Sequence, residues 1–227
     1  MDVILIDPVS FHPDLPALKQ ELHIRPESSH EADFEALACL AENIARPMAF
    51  YKPVFIDSRE GDTVILDGIS FTSRVLRVNL ESVQRVFACL ATCGREMEAW
   101  ANAQEDMLAR FWADRLMEHA LGSAWQAMEA HLAQRYHPGA ISTMNPGSLE
   151  DWPLTQQREL FSLFGDTQAL LGVELTDSFL MIPRKSVSGI VFPTEIGFQS
   201  CMLCPRENCP GRRAPYQPEM AHNKYEM

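Results

Sequence analysis

The sequence predicts an α+β protein: a twisted, mainly antiparallel sheet packed with helices, followed by a cysteine-bearing C-terminal extension. Three observations carry that expectation. Short apolar or alternating runs come in pairs around turn residues, as antiparallel strands do. One long stretch, from about Asp106 to Gln134, repeats apolar residues at helical spacing. No Gly-rich phosphate fingerprint follows a strand, which disfavours a doubly wound fold. At 227 residues the chain is long enough for one substantial core. We expect residues 1–197 to form the domain and residues 198–227 a Cys-rich extension.

In chain order, Val3 to Ile6 reads as a short edge strand before Asp7-Pro8. Glu31 to Ile44 sets Phe34, Leu37, Cys39, Leu40 and Ile44 at near-helical spacing, and Arg46-Pro47 closes it. Ala49 to Asp57 and Thr63 to Leu66 read as strands around the turn Arg59-Glu60-Gly61-Asp62. Ser70 to Ser73 opens an element that ends near Leu80. Arg85 to Cys93 is a buried strand, because its apolar run is short and Gly94 follows; Glu96 to Ala103 is a short helix.

The stretch from Met144 to Phe192 reads as one working surface. The Pro146-Gly147-Ser148 loop lets backbone come close to a ligand. Asp151 and Pro153 mark a helix start and Gly165 its stop. Val173, Leu175, Phe179 and Met181 alternate as a half-buried strand, and Val187, Gly189 and Val191 repeat the pattern after Pro183. The tail from His222 to Met227 is expected to be poorly ordered.

Composition excludes several function classes. Hydrophobic residues at 46% and charged residues at 22% are ordinary for a folded protein. A formal net charge of −12 argues against general nucleic-acid binding and against an anionic membrane surface. No run approaches the roughly 20 apolar residues of a membrane helix. The start, MDVILIDPVSF, lacks a basic segment and a small-residue cleavage site. A cytoplasmic protein is the expectation, with its cysteines reduced, metal-bound or redox-active.

Two constellations carry chemistry. On the long helix, one face collects Met107, Phe111, Asp114, Glu118, Leu121, Trp125, Met128 and Leu132. Asp114 and Glu118 thus interrupt an apolar stripe. Either a basic residue such as Arg110 or Arg115 pairs with them or this part of the stripe meets solvent, or they line a ligand or partner cleft for a polar or cationic group. The second is Cys201-x2-Cys204-x4-Cys209, flanked by Arg206, Arg212 and Arg213 against Glu207. Soft thiolates select zinc or iron–sulfur clusters. A structural zinc takes four protein ligands, so three local cysteines favour an iron–sulfur cluster with an open iron over zinc or no metal. Cys89, Cys93 and His222 are candidates for a fourth ligand. Cys39 reads as core filler, the seven histidines are scattered without a nucleophile–base arrangement, and Lys185 sits at a hairpin tip.

Three segments together resemble the reactivation domain of cobalamin-dependent methionine synthase. They are Ala113-Asp114-Arg115-Leu116-Met117-Glu118, the Pro146-Gly147 loop, and Leu175-Thr176-Asp177-Ser178-Phe179 with Ser186-Val187-Ser188-Gly189. The resemblance spans roughly residues 105–192. It implies a domain that binds S-adenosylmethionine and docks over a corrinoid, so that an oxidised cobalt centre is reduced and remethylated. Carried over by position, Asp114, Glu118, Pro146, Gly147, Ser148, Ser186 and Ser188 are the cofactor-binding candidates. The family loop's arginine position holds Thr143 here and its tyrosine position Ser148; Arg135 and the Pro138-Gly139 loop are possible substitutes. The expectation is therefore a reactivation or redox partner for a corrinoid protein or B12-dependent methyltransferase, with Cys201, Cys204 and Cys209 holding an iron–sulfur cluster. A docking protein with structural zinc, and S-adenosylmethionine-dependent remethylation, are the alternatives.

Overall fold

A computed structural model of the chain describes residues 2–209 and 211–226. In order the elements are β1 (Ile4–Ile6), α1 (Leu15–Glu21), α2 (Ser29–Ile44), β2 (Met48–Glu60), β3 (Thr63–Leu66), β4 (Ile69–Thr72), α3 (Arg74–Asn79), β5 (Arg85–Thr92), α4 (Arg95–Asn102) and α5 (Met107–Tyr136). Then come β6 (Ile141–Met144), α6 (Gln157–Ser162), α7 (Thr167–Leu171), β7 (Glu174–Leu175), β8 (Met181–Ile182), β9 (Ser186–Pro193) and α8 (Pro218–Tyr225). The α+β expectation holds. A seven-stranded sheet runs β4-β3-β2-β5-β9-β6, with β1 beside the first half of β2, and every pair is antiparallel.

Period-two alternation makes this sheet the middle of three layers. Along β5, Val86, Ala88 and Leu90 point into one apolar cluster, while Phe87, Cys89 and Ala91 point into another. Phe50 and Val54 of β2 and Ile190 and Phe192 of β9 join the first face; Ala49, Tyr51 and Val191 join the second. Strand β5 is central, so it is apolar on both faces, which is why its sequence reads as a continuous run. The first face is covered by α3, α6, α7 and α8, and the second by the C-terminal half of α5. A third cluster forms where the N-terminal half of α5 meets α1, α2 and α4.

That division corrects the helix stripe. The buried residues of α5 are Trp112, Ala113, Leu116, Met117, Ala120, Ala124, Met128 and Leu132, whereas Met107 and Phe111 are 86% and 52% exposed. Much of this series steps by four residues, which drifts about 40° per step on a helix of 3.6 residues per turn. The helix therefore buries one side against α2 and α4 and a rotated side against the sheet. A single straight stripe could not show this.

Four more expectations change. The predicted strand from Val173 to Met181 is a small hairpin, β7 with β8, joined by a turn in which Phe179 has φ +63°. Ser70 to Leu80 divides into β4 and α3 at Ser73, whose Oγ accepts from Leu76 N at 3.0 Å. Asp151 caps α3 rather than starting its own helix, accepting from Arg74 N and Val75 N, both at 3.1 Å. The C-terminal segment is part of the core: Phe198, Leu203, Ala221 and Tyr225 lie in the first-face cluster. Contrary to the expected loose tail, α8 buries Tyr225 completely, and the tyrosine hydroxyl donates to Asn79 Oδ1 at 2.7 Å.

Candidate functional site

Strand β9 ties the predicted site residues together. Just before it, Lys185 Nζ lies 2.9 Å from Asp114 Oδ2 and 3.3 Å from Glu118 Oε2. Arg184 Nη2 reaches Asp114 Oδ1 at 3.1 Å, and Arg115 Nη1 reaches Glu118 Oε2 at 2.9 Å. Both carboxylates stand on the open side of α5, so the pairing alternative describes them in this state. Arg115 also bonds Glu21 of α1, whose carboxyl it holds below the usual carboxylate range, with His119 adding to the effect. These groups are partly solvated, and pairs of that kind contribute little stability each. Their charges remain available to a ligand that can displace Lys185.

The first turns of β9 hold the serines. Ser186 Oγ donates to the Pro183 carbonyl at 2.7 Å and lies 2.9 Å from Thr92 Oγ1. Ser188 is buried, its Oγ without a hydrogen-bond partner among the described residues, while its carbonyl accepts from Asn145 Nδ2 at 2.7 Å. That bond anchors the turn after β6. Gly147 adopts φ +83°, Gly147 N donates to Trp152 O at 2.7 Å, and Ser148 N donates to Asn145 O at 3.1 Å. Both turn N–H groups are thus satisfied internally. What approaches Gly147 is the Leu154 side chain, whose Cδ1 would sit 3.1 Å from an added Cβ. Glycine is required here by backbone conformation and packing.

Ser148 also faces the cysteines. After β9 the chain returns along the β6 edge, where Gln199 forms a parallel bridge with Thr143. This places Cys201, Cys204 and Cys209 around a cleft of about 510 Å³ shared with Ser142, Thr143, Asn145, Ser148, Glu129, Arg206 and Arg213. All three thiols are free of disulfides. Arg213 N donates to Cys201 Sγ at 3.4 Å. Arg212 is the organiser: its guanidinium donates to the carbonyls of Cys201, Cys204 and Ala214, each at 3.1 Å, and to that of Arg206. The sequence reading saw Arg212 only as local charge; five donors in one planar fork are what allow it to knot this loop. Among the described residues no three His, Cys, Asp or Glu side chains stand in metal-binding geometry.

The other ligand candidates lie elsewhere. Cys89 and Cys93 sit in and just after β5, buried, and neither lines the cleft. Burial pushes the Cys93 thiol up to about 12 and the Cys89 thiol upward as well, so both are inert at neutral pH. His222 is exposed on α8 and does not line the cleft either. Glu129, missed in the sequence, does; it lies about 16 Å along α5 from Glu118 at 1.5 Å per residue. Only the return of the chain past β6 brings it there. Among the described residues no helix is long and apolar enough to cross a membrane.

Comparison with known proteins gives two likenesses. Residues 98–197 match the family described as "Vitamin B12 dependent methionine synthase, activation domain". Those residues contain all seven cofactor-binding candidates, from Asp114 to Ser188. No curated protein matches the chain. Among solved structures, the "Crystal Structure of the MetH Reactivation Domain bound to AdoHcy" aligns with a TM-score of 0.60 and 15% identity, over 88% of this chain and 80% of that one. The chain thus shares the fold of that solved reactivation domain, and its residues 98–197 match the activation-domain family.

Proposed function

We propose that this protein is a reactivation partner for a corrinoid protein, helping to return an oxidised cobalt centre of a B12-dependent methyltransferase system to its active state. One observation carries the reading. The family match covers the segment in which β9 joins Asp114, Glu118, Lys185, Ser186 and Ser188 to the Pro146-Gly147-Ser148 turn. Asp114 and Glu118 supply negative charge for a cationic ligand, and the turn, held by Asn145, shapes the edge of the same surface. This end of the sheet faces the corrinoid carried by the partner.

Cys201, Cys204 and Cys209 hold an iron–sulfur cluster in this reading. In support, the three thiols share one cleft with Arg206 and Arg213, whose charge offsets thiolates, and the backbone N–H of Arg213 already donates to one sulfur. Three thiolates suit a cluster with an open iron better than a closed zinc site. Iron–sulfur clusters transfer single electrons over a wide range of potentials, which extends low enough for difficult reductions. The residues themselves set its environment: Arg212 fixes the loop, and Ser142, Ser148 and Glu129 line the remaining wall.

The test is anaerobic purification with iron, sulfide and zinc analysis and a visible spectrum, followed by mixing with a cob(II)alamin-loaded corrinoid protein. Iron and sulfide in stoichiometric amounts, with spectral change in both components on mixing, support the reading. Stoichiometric zinc moves the protein to a docking role, because zinc transfers no electron. No spectral change in either component refutes electron delivery.

A second reading is S-adenosylmethionine-dependent remethylation, favoured by the AdoHcy named for the similar solved domain. Calorimetric titration with S-adenosylmethionine decides it, and Glu118→Gln weakens any binding by removing a carboxylate from the sulfonium's reach.

A further inference from the structure

We propose that a cleft at the opposite end of the sheet, between Arg85 and Lys224, binds a small organic anion bearing phosphate or carboxylate groups. The cleft measures about 790 Å³ and forms where the β2–β5 pairing stops at Phe55 and Arg85, β9 ends, and the segments 138–140 and 194–196 pass. It lies at the far end of β9 from Ser186, so it is separate from the corrinoid-facing surface. Its volume falls within the range typical of small-ligand sites, roughly 300–1,000 Å³.

Two cations line this cleft, and among the described residues neither is in direct contact with an acid. Arg85 rests on aromatic rings, its guanidinium carbon 4.7 Å from the Tyr136 centroid and 5.4 Å from that of Phe87. Lys224 Nζ is 3.4 Å from Asn79 Oδ1, an oxygen already engaged by the Tyr225 hydroxyl. Among the described residues neither cation makes an ion pair, although the chain carries 31 acidic against 19 basic residues. Partial burial of its ammonium lowers the Lys224 pKa.

The shape of the wall points to an organic anion. Phe55, Val78, Val83 and Ile196 supply apolar surface for a carbon body. Among the described residues Glu195 is the one acid on the wall, leaving a local charge of +1 and offering an acceptor for a ligand hydroxyl or amine. A half-buried guanidinium and an exposed ammonium on one cleft wall give a phosphate or carboxylate two charge-assisted hydrogen-bond donors.

Isothermal titration calorimetry of the full chain with pyrophosphate and, separately, citrate tests this. We expect one-to-one binding of at least one probe, weakened at least tenfold, or about 1.4 kcal/mol, in the double variant Arg85→Met, Lys224→Met. Pyrophosphate alone binding identifies a phosphorylated ligand; citrate alone identifies a polycarboxylate. A second variant, Ser82→Trp at the exposed mouth, should block binding while the circular-dichroism melt stays cooperative. It decides the question by itself if the double variant fails to fold. The proposal is overturned if neither probe binds at up to about 1 mM, or if a folded variant of either kind binds as tightly as the parent.

Discussion

Replacing Gly189 with alanine tests how β9 and the turn after β6 are held together. The residue is buried in β9 opposite Cys89 of β5, and its backbone conformation suits any amino acid. Space is the constraint. An added Cβ would lie 2.4 Å from Asn145 Nδ2 and 2.7 Å from Met144 O, the second a backbone atom at the last β6–β9 pair. Relief requires moving β6 away from β9 and breaking the 2.7 Å bond from Asn145 to the Ser188 carbonyl. Overpacking of a tight site costs about 1–3 kcal/mol, and the lost hydrogen bond adds about 1 kcal/mol. Reduced chain entropy in the unfolded state returns about 0.4–1 kcal/mol. The clash wins, and the expected net loss is about 1–3.5 kcal/mol. Urea unfolding followed by circular dichroism measures it, with Gly122→Ala as the comparison. Gly122 lies within α5 with nothing within 4 Å of an added Cβ, so there alanine should stabilise by about 0.5–1 kcal/mol. Opposite signs for the two substitutions are required. A Gly189→Ala loss below about 0.5 kcal/mol would show that Asn145 moves aside freely, and that β9 does not position the turn.

Further outcomes follow from the same structure. Alkylation of metal-free native protein should label Cys39, Cys201, Cys204 and Cys209, leaving Cys89 and Cys93 for denaturant; modification of Cys93 in the folded state would contradict its burial. Arg212→Met should release the cysteine loop with little change in the melting transition, as read by limited proteolysis, and lower any metal content the parent carries. Tyr225→Ala should cost about 3–5 kcal/mol, since the ring is wholly buried against Phe198, and a cost under about 1 kcal/mol would detach α8 from the core. Because Glu21 titrates below its ordinary 4.5 in the folded protein, the stability it contributes is present above that value and is lost as pH falls through the folded one. Thermal melts from about pH 6 to about pH 3 should therefore decline less steeply in Arg115→Gln than in the parent; identical slopes would remove Arg115 as the cause.

Where local rules governed, the sequence was readable. The continuous apolar run of β5 and the alternation in β9 reported the central strands, because a strand between two covered faces must be apolar on both. The Pro-Gly turn and the long helix were likewise visible in residue order. The small hairpin was not, because its reversal depends on Phe179 at positive φ, a conformation that residue type does not announce. The face of α5 was misplaced because the helix serves two clusters at different rotations. Asp151 looked like a helix start in sequence, yet it caps α3, a helix more than seventy residues earlier in the chain.

The amino-acid order alone determined the fold class, the central strands and the three-cysteine spacing, since these rest on periodicity and on residue types a few positions apart. Only the tertiary structure decided that Lys185 and Arg184 neutralise Asp114 and Glu118, and that Arg212 pins the cysteine loop. The same holds for the gathering of Glu129, Ser148 and the cysteines around one cleft. Each of those contacts joins residues far apart in sequence, and their proximity follows from strand order and from the return of the chain along β6 rather than from any local pattern.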